Sequence, residues 1–191
     1  MDPRDRYFVP AAAVIFLGAM TRCVSAQPVA HMMVHLVDYA RVSSLELRDA
    51  QREAAEIYAC AGIELEWVLG NAEDHPSADR DVRVVLLDDA MSSKKTIEGR
   101  LSDDVLGVGS QSAWAYIFIT RVALHSVAAR APFPRTLGRV MAHEIGHVVL
   151  PVHSHTRTGI MQATVDTRPR GDRYFTQTQS ETLLKTLTVP H

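Results

Sequence analysis

Along Ile63-Glu64-Leu65-Glu66-Trp67-Val68-Leu69 apolar and charged residues alternate, the period of a strand with one face buried. Just upstream the period changes. Leu47, Ala50, Ala54, Ile57, Tyr58 and Ala61 recur at helical intervals and predict a helix over 45–61, with Ser43-Ser44 at its N-cap and Gly62 at the C′ position. A Val-, Met- and Leu-rich run, 29–37, reads as a first strand, and 82–87 and 114–120 as later ones. A polar loop spans 71–81, and the glycine-punctuated stretch 88–112 reads as a long irregular surface loop, a length uncommon without a function. A short helix is predicted over 122–129. Pro132 and Pro134 then precede a helix over 137–149 with Thr136 as its cap, and a last helix spans 178–187 with Phe175 as apolar lead-in. Strand, long helix, three strands, helix is an α+β order in which the first helix crosses between parallel neighbours and the later one packs under the sheet.

The 191 residues, 47% hydrophobic and 22% charged, suit one folded domain with a real core. A formal charge of −2 gives no reason to expect nucleic acid or an anionic membrane surface as partner. The N-terminus differs from the rest. Arg4 and Arg6 precede an apolar run, Val9 to Met20, and Val24-Ser25-Ala26 offers small residues where a signal peptidase reads. Residues 1–26 are therefore expected to be a signal peptide cleaved after Ala26, and 27–191 a single secreted or periplasmic domain with no stable membrane association. Cleavage would remove Cys23 and leave Cys60 without an internal disulfide, as a small buried side chain.

Candidate chemistry concentrates in the helix predicted over 137–149. His143-Glu144-Ile145-Gly146-His147 sets two imidazoles four apart, so they leave one face of a helix one turn apart. That spacing suits a Zn²⁺ ion gripped at roughly 2.0–2.1 Å by each ring. Glu144, beside the first histidine, is placed to act as general base on an activated water. Two ordinary histidines on a helix would show the same spacing by chance. Here a strand-rich half precedes the motif, and Val140, Ile145, Val148 and Val149 give its helix an apolar side to bury. His153 and His155 follow at short range, able to complete a three-ligand site with one open position. Gly146 costs the helix about 1 kcal/mol and is expected to permit close packing against the later loop that holds Met161. His31, His35, His75, His125 and His191 have no ligand spacing and read as structural or exposed; Tyr174 reads as a packed tyrosine within reach of the site.

With these residues in view, the chain resembles the metzincin zinc proteases. Their pattern, H-E-x-x-H-x-x-G-x-x-H followed by a turn with a methionine beneath the metal, is similar to His143–His153 and then Met161. The family glycine falls on Leu150, and Pro151 after it pushes the helix exit toward an extended path. His153 has the family spacing. The run Ser154-His155-Thr156-Arg157-Thr158-Gly159-Ile160-Met161 resembles small secreted bacterial metalloproteases that use the later histidine, which favours His155 as third ligand with His153 as the alternative. If that segment is extended, the two share one side. The family's tyrosine two residues after the methionine is absent, since Ala163 stands there.

The resemblance implies a metzincin-like fold: a twisted mixed sheet of about four strands with a crossover helix, a zinc-binding active-site helix, and a short irregular C-terminal part ending in a helix. It implies that the 114–120 strand is the sheet edge bordering the cleft, open to an extended peptide, and that Met161 is an apolar floor under the metal. The function so implied is a secreted zinc-dependent endopeptidase, a monomer acting on a peptide or protein substrate through Zn²⁺, with Glu144 as general base. The alternative is a catalytically silent zinc-binding module that recognises peptides or surface ligands, against which the retained Glu144 argues.

Overall fold

The computed structural model of the protein describes residues 28–70, 81–168 and 171–189. The expected signal segment and nearly all of the 71–81 loop, with His75, lie outside them, as does His191. Among the described residues five strands and five helices follow one another: β1 (Ala30–Asp38), α1 (Ser44–Cys60), β2 (Ile63–Leu69), β3 (Val82–Leu87), α2 (Asp89–Gly99), β4 (Gly107–Ser110), β5 (Trp114–Phe118), α3 (Ile119–Ala128), α4 (Phe133–Val149) and α5 (Gln177–Thr188). The class is α+β with a mixed sheet, of five strands rather than about four. Its order is β2-β1-β3-β5-β4, parallel throughout except for the antiparallel β4–β5 pair.

Two expectations change here. The stretch 88–112 is not an irregular loop, because Asp88 caps α2 by accepting from the Met91 N–H at 2.8 Å and the chain then lays down β4. β4 is the sheet edge in consequence, and β5, expected at the edge, sits one strand in.

One face of the sheet carries most of the core. Met32, Val34 and Leu36 of β1, Val84 and Leu86 of β3, and Ile117 of β5 pack there with Ile57 and Tyr58 of α1 and Leu137, Met141 and Ile145 of α4. The helices α1 and α4 touch closely at Gly138, where an added Cβ would lie 2.5 Å from the Ala50 carbonyl oxygen. Tyr58, fully buried, donates to the Ala142 carbonyl at 3.2 Å and meets Phe175 edge-on at 4.9 Å. The other face holds a smaller cluster of Val37, Val85, Leu87 and Phe118. Cys60 is half-buried near the end of α1, and the expectation of a lone thiol concerns the chain after cleavage, whose N-terminal segment with Cys23 lies outside the described residues.

α4 starts a turn earlier than the pattern predicts. Pro134 is tolerated in its first turn, where no intrahelical donor is lost, so Thr136 lies buried inside the helix instead of capping it. At its other end Leu150 is extended (φ −78°, ψ 155°), as a residue before proline should be.

Candidate metal centre

α4 presents His143 and His147 on one face, and the chain beyond Leu150 folds back to bring His155 to them. His147 Nε2 lies 3.0 Å from His143 Nε2 and 3.0 Å from His155 Nε2. One ring nitrogen from each of the three lies within 4.8 Å of the others. Two nitrogens bound to a tetrahedral zinc at ~2.0–2.1 Å sit roughly 3.3 Å apart, so the cluster has the spacing of one small ion. The proton arrangement agrees. His143 Nδ1 donates to the Ile160 carbonyl at 2.8 Å, which leaves the lone pair of a neutral ring on Nε2, facing the other two. Ser154 Oγ lies 3.3 Å from His147 Nδ1 and gives that ring a similar outer partner.

The electrostatics favour neutral rings at His143 and His147. Burial, then the neighbouring imidazoles, holds His147 down to about 4. His143 is lowered chiefly by burial, against the opposing pull of its Ile160 bond. Neutral imidazole is the form that ligates a metal. Glu144, 6% exposed, is pushed up to about 8 by burial; the Gly109 N–H, donating to its Oε2 at 2.7 Å, pulls the other way.

His153 does not join the cluster. Its φ of 62° puts a left-handed turn just before Ser154, so the segment is not extended and the two later histidines do not share one side. His153 is left exposed. The position of His155 is set from α5. Thr176 and Gln179 form a capping box there, and the Gln179 side-chain amide donates to the Ser154 carbonyl at 3.0 Å and to Thr156 Oγ1 at 3.3 Å. The Thr156 N–H in turn donates to the Met161 carbonyl at 2.9 Å.

Met161 is fully buried, and its Sδ would lie 2.5 Å from a Cβ at Gly146. The glycine is thus where the helix and the Met161 loop meet. Gly159 (φ 85°) turns the chain into that loop, and the Ile160 N–H is held by the Tyr174 carbonyl at 2.9 Å. Tyr174 does not line the cleft; its hydroxyl accepts from Arg173 at 2.7 Å. His31 pairs with Glu64 at the surface and His35 with Asp81 in the interior.

The three histidines and Glu144 open into a cleft of about 420 Å³, bordered by β4, by Val105 and Leu106 before it, and by Ala163 and Val165 beyond Met161. Two glycines let β4 lie against α4. A Cβ on Gly107 would fall 2.6 Å from Glu144 Cγ, and one on Gly109 would run into the Glu144 carbonyl oxygen. These glycines and Gln179 did not stand out in the sequence as site residues, and His125, expected to be structural or exposed, also lines the cleft. The Gly-Val-Gly spacing was the one signal available for the first pair; a lone histidine on a helix and a lone glutamine carry none.

No known protein family and no curated protein sequence matches the chain. Among solved structures, the crystal structure of a zinc-dependent peptidase from Methanocorpusculum labreanum (strain Z) is similar, with a TM-score of 0.50 at 14% sequence identity, over 78% of this chain and 99% of that one. At that identity the likeness is one of fold, and the shared α+β architecture is what it establishes.

Proposed function

We propose that the protein is a secreted zinc-dependent endopeptidase of the metzincin type. The observation that carries this reading is the convergence of three imidazole nitrogens, two of them 3.0 Å from the third, beside a buried carboxylate in an open cleft. His143, His147 and His155 would hold the ion. Zinc, when bound, supplies Lewis acidity that makes a water nucleophilic near neutral pH and polarises a carbonyl. Glu144 takes the proton of the attacking water and later passes it to the leaving amine. The Gly109 N–H keeps the carboxylate oriented, and the unpaired side of β4 offers main-chain groups to an extended peptide lying in the cleft. The apolar run and small residues before Ala26 support export, and the fold shared with a zinc-dependent peptidase is one that accommodates this chemistry.

The test uses an unfolded protein substrate, zinc analysis of the purified protein, and the Glu144→Gln variant. Wild type is expected to carry about one zinc and to cleave in a chelator-sensitive way, whereas Glu144→Gln keeps the metal and loses turnover at least about 100-fold. Bound zinc without cleavage by wild type would instead support the silent recognition module, and no bound zinc would remove both.

A further inference from the structure

Within the cleft, one half-buried imidazole has no task in the chemistry just described. His125 stands in the last turn of α3 and lines the cleft together with the three clustered histidines. Its position follows from its own helix. One turn earlier on the same face, Arg121 donates to the Ser102 and Val105 carbonyls at 3.0 Å each and to Thr96 Oγ1 at 2.8 Å. That clamp seats this face of α3 against the segment leading into β4, and the next side chain along it, His125, lines the same cleft as Val105 and Leu106. Val108 and Val165 add to the apolar part of that lining, and its other polar residues outside the metal cluster, Asp104 and Thr164, are exposed. The imidazole is half-buried and makes no hydrogen bond with any described residue. The other polar groups are committed or at the rim. His143 bonds to Ile160 and Glu144 to Gly109, and the exposed Asp104 carboxylate is held by Ser102 and by its own backbone.

A largely apolar recess in which one half-buried imidazole offers an unspent donor and acceptor selects its occupant. Covering that ring with an all-carbon side chain strips it of water and gives nothing back, whereas an amide or hydroxyl at the end of an apolar stem restores the bond. We propose that His125 is a specificity-determining residue, whose ring hydrogen-bonds the polar tip of a substrate side chain such as glutamine or tyrosine bound next to the scissile bond. The inference rests on the zinc-peptidase reading and deepens it. Because the ring is only half-buried, the discrimination expected is that of one ordinary hydrogen bond, about five- to tenfold.

Matched peptides test it, with glutamine against the near-isosteric leucine, and tyrosine against phenylalanine, placed in turn on either side of the cleaved bond. Wild type is expected to favour the polar member of a pair by about five- to tenfold in kcat/KM at one of these positions. His125→Leu erases that preference while keeping zinc content, melting temperature and cleavage of the leucine peptide. His125→Gln, which restores a donor and an acceptor on a shorter reach, recovers part of it; a packing role would show no such recovery. A wild type indifferent to the polar tip, or a His125→Leu protein that keeps the wild-type preference, overturns the proposal and leaves the peptidase reading intact. A wild type that cleaves none of the peptides in a chelator-sensitive way overturns both.

Discussion

Gly109→Ala should damage both the fold and the site. The added carbon would lie 2.8 Å from His147 Cβ and against the Glu144 carbonyl oxygen, and both belong to a helix held on its far side by α1. Neither atom is the end of a flexible side chain, so β4 must move outward. Overpacking of this kind costs about 1–3 kcal/mol. The movement also breaks the 2.7 Å bond from the Gly109 N–H to Glu144, and a hydrogen bond to a carboxylate is worth about 1.5–3 kcal/mol. An edge strand can relax toward solvent, so the lower part of the combined range, about 3 kcal/mol, is the expected loss. For a domain of this size that lowers Tm by about 6–12 °C. The same change removes the bond that opposes the effect of burial on Glu144, so its carboxyl rises further and the acid limb of the pH–rate profile moves to higher pH. Differential scanning fluorimetry and a pH–rate series read both effects. Gly99→Ala, where the new carbon meets only the Leu101 side chain, is the near-neutral control. A Gly109→Ala protein that melts within about 1 °C of wild type with an unmoved acid limb would show that β4 is not clamped to α4 as argued.

Three further outcomes are expected. His155→Ala should lose zinc affinity at least about tenfold in a competition titration, while His153→Ala, whose ring lies outside the cluster, leaves it unchanged; the reverse pattern would reassign the third ligand. Glu53→Ala strips its partner from Arg139, a guanidinium only 1% exposed and 2.9 Å from the carboxylate, and should destabilise by about 3 kcal/mol in denaturant unfolding, well beyond the effect of Arg173→Ala at the more exposed end of the same network. Asp166 is held at about 2, first by its Arg168 hydrogen bond, so its stabilisation is complete above the ordinary carboxylate range and disappears as pH falls through about 4 toward about 2. The gap in Tm between wild type and Asp166→Asn should therefore be constant above about pH 5 and close below it; a gap that widens on acidification would contradict that sign.

The elements whose patterns are one-sided were the ones legible in the sequence. β2 and β3 fall on the residues expected, because a strand with one face buried or a fully buried one writes its period plainly. α1 does too, since its apolar stripe has to meet both the sheet and α4. α2 was invisible for the opposite reason: it buries only Ser92, so nothing in its sequence repeats at a helical interval. β4 was hidden by its composition. Gly-Val-Gly-Ser has poor strand propensity, and its conformation comes from pairing with β5 and from the absence of side chains where α4 presses on it. At the site, the facing of His143 and His147 was a matter of helix geometry. Which later histidine would meet them depended on the sign of one backbone angle at His153 and on an amide reaching across from α5, and neither leaves a mark in local sequence.

The two borders of the sheet are unequally defended. On β2 the border strand carries Glu64 and Glu66 as exposed charges, a repulsive fringe that discourages a further chain from docking alongside. On β4 the border is short and uncharged. A concentrated solution of empty protein should therefore self-associate through that side, and a bound peptide should act as a solubiliser as well as a ligand by occupying it.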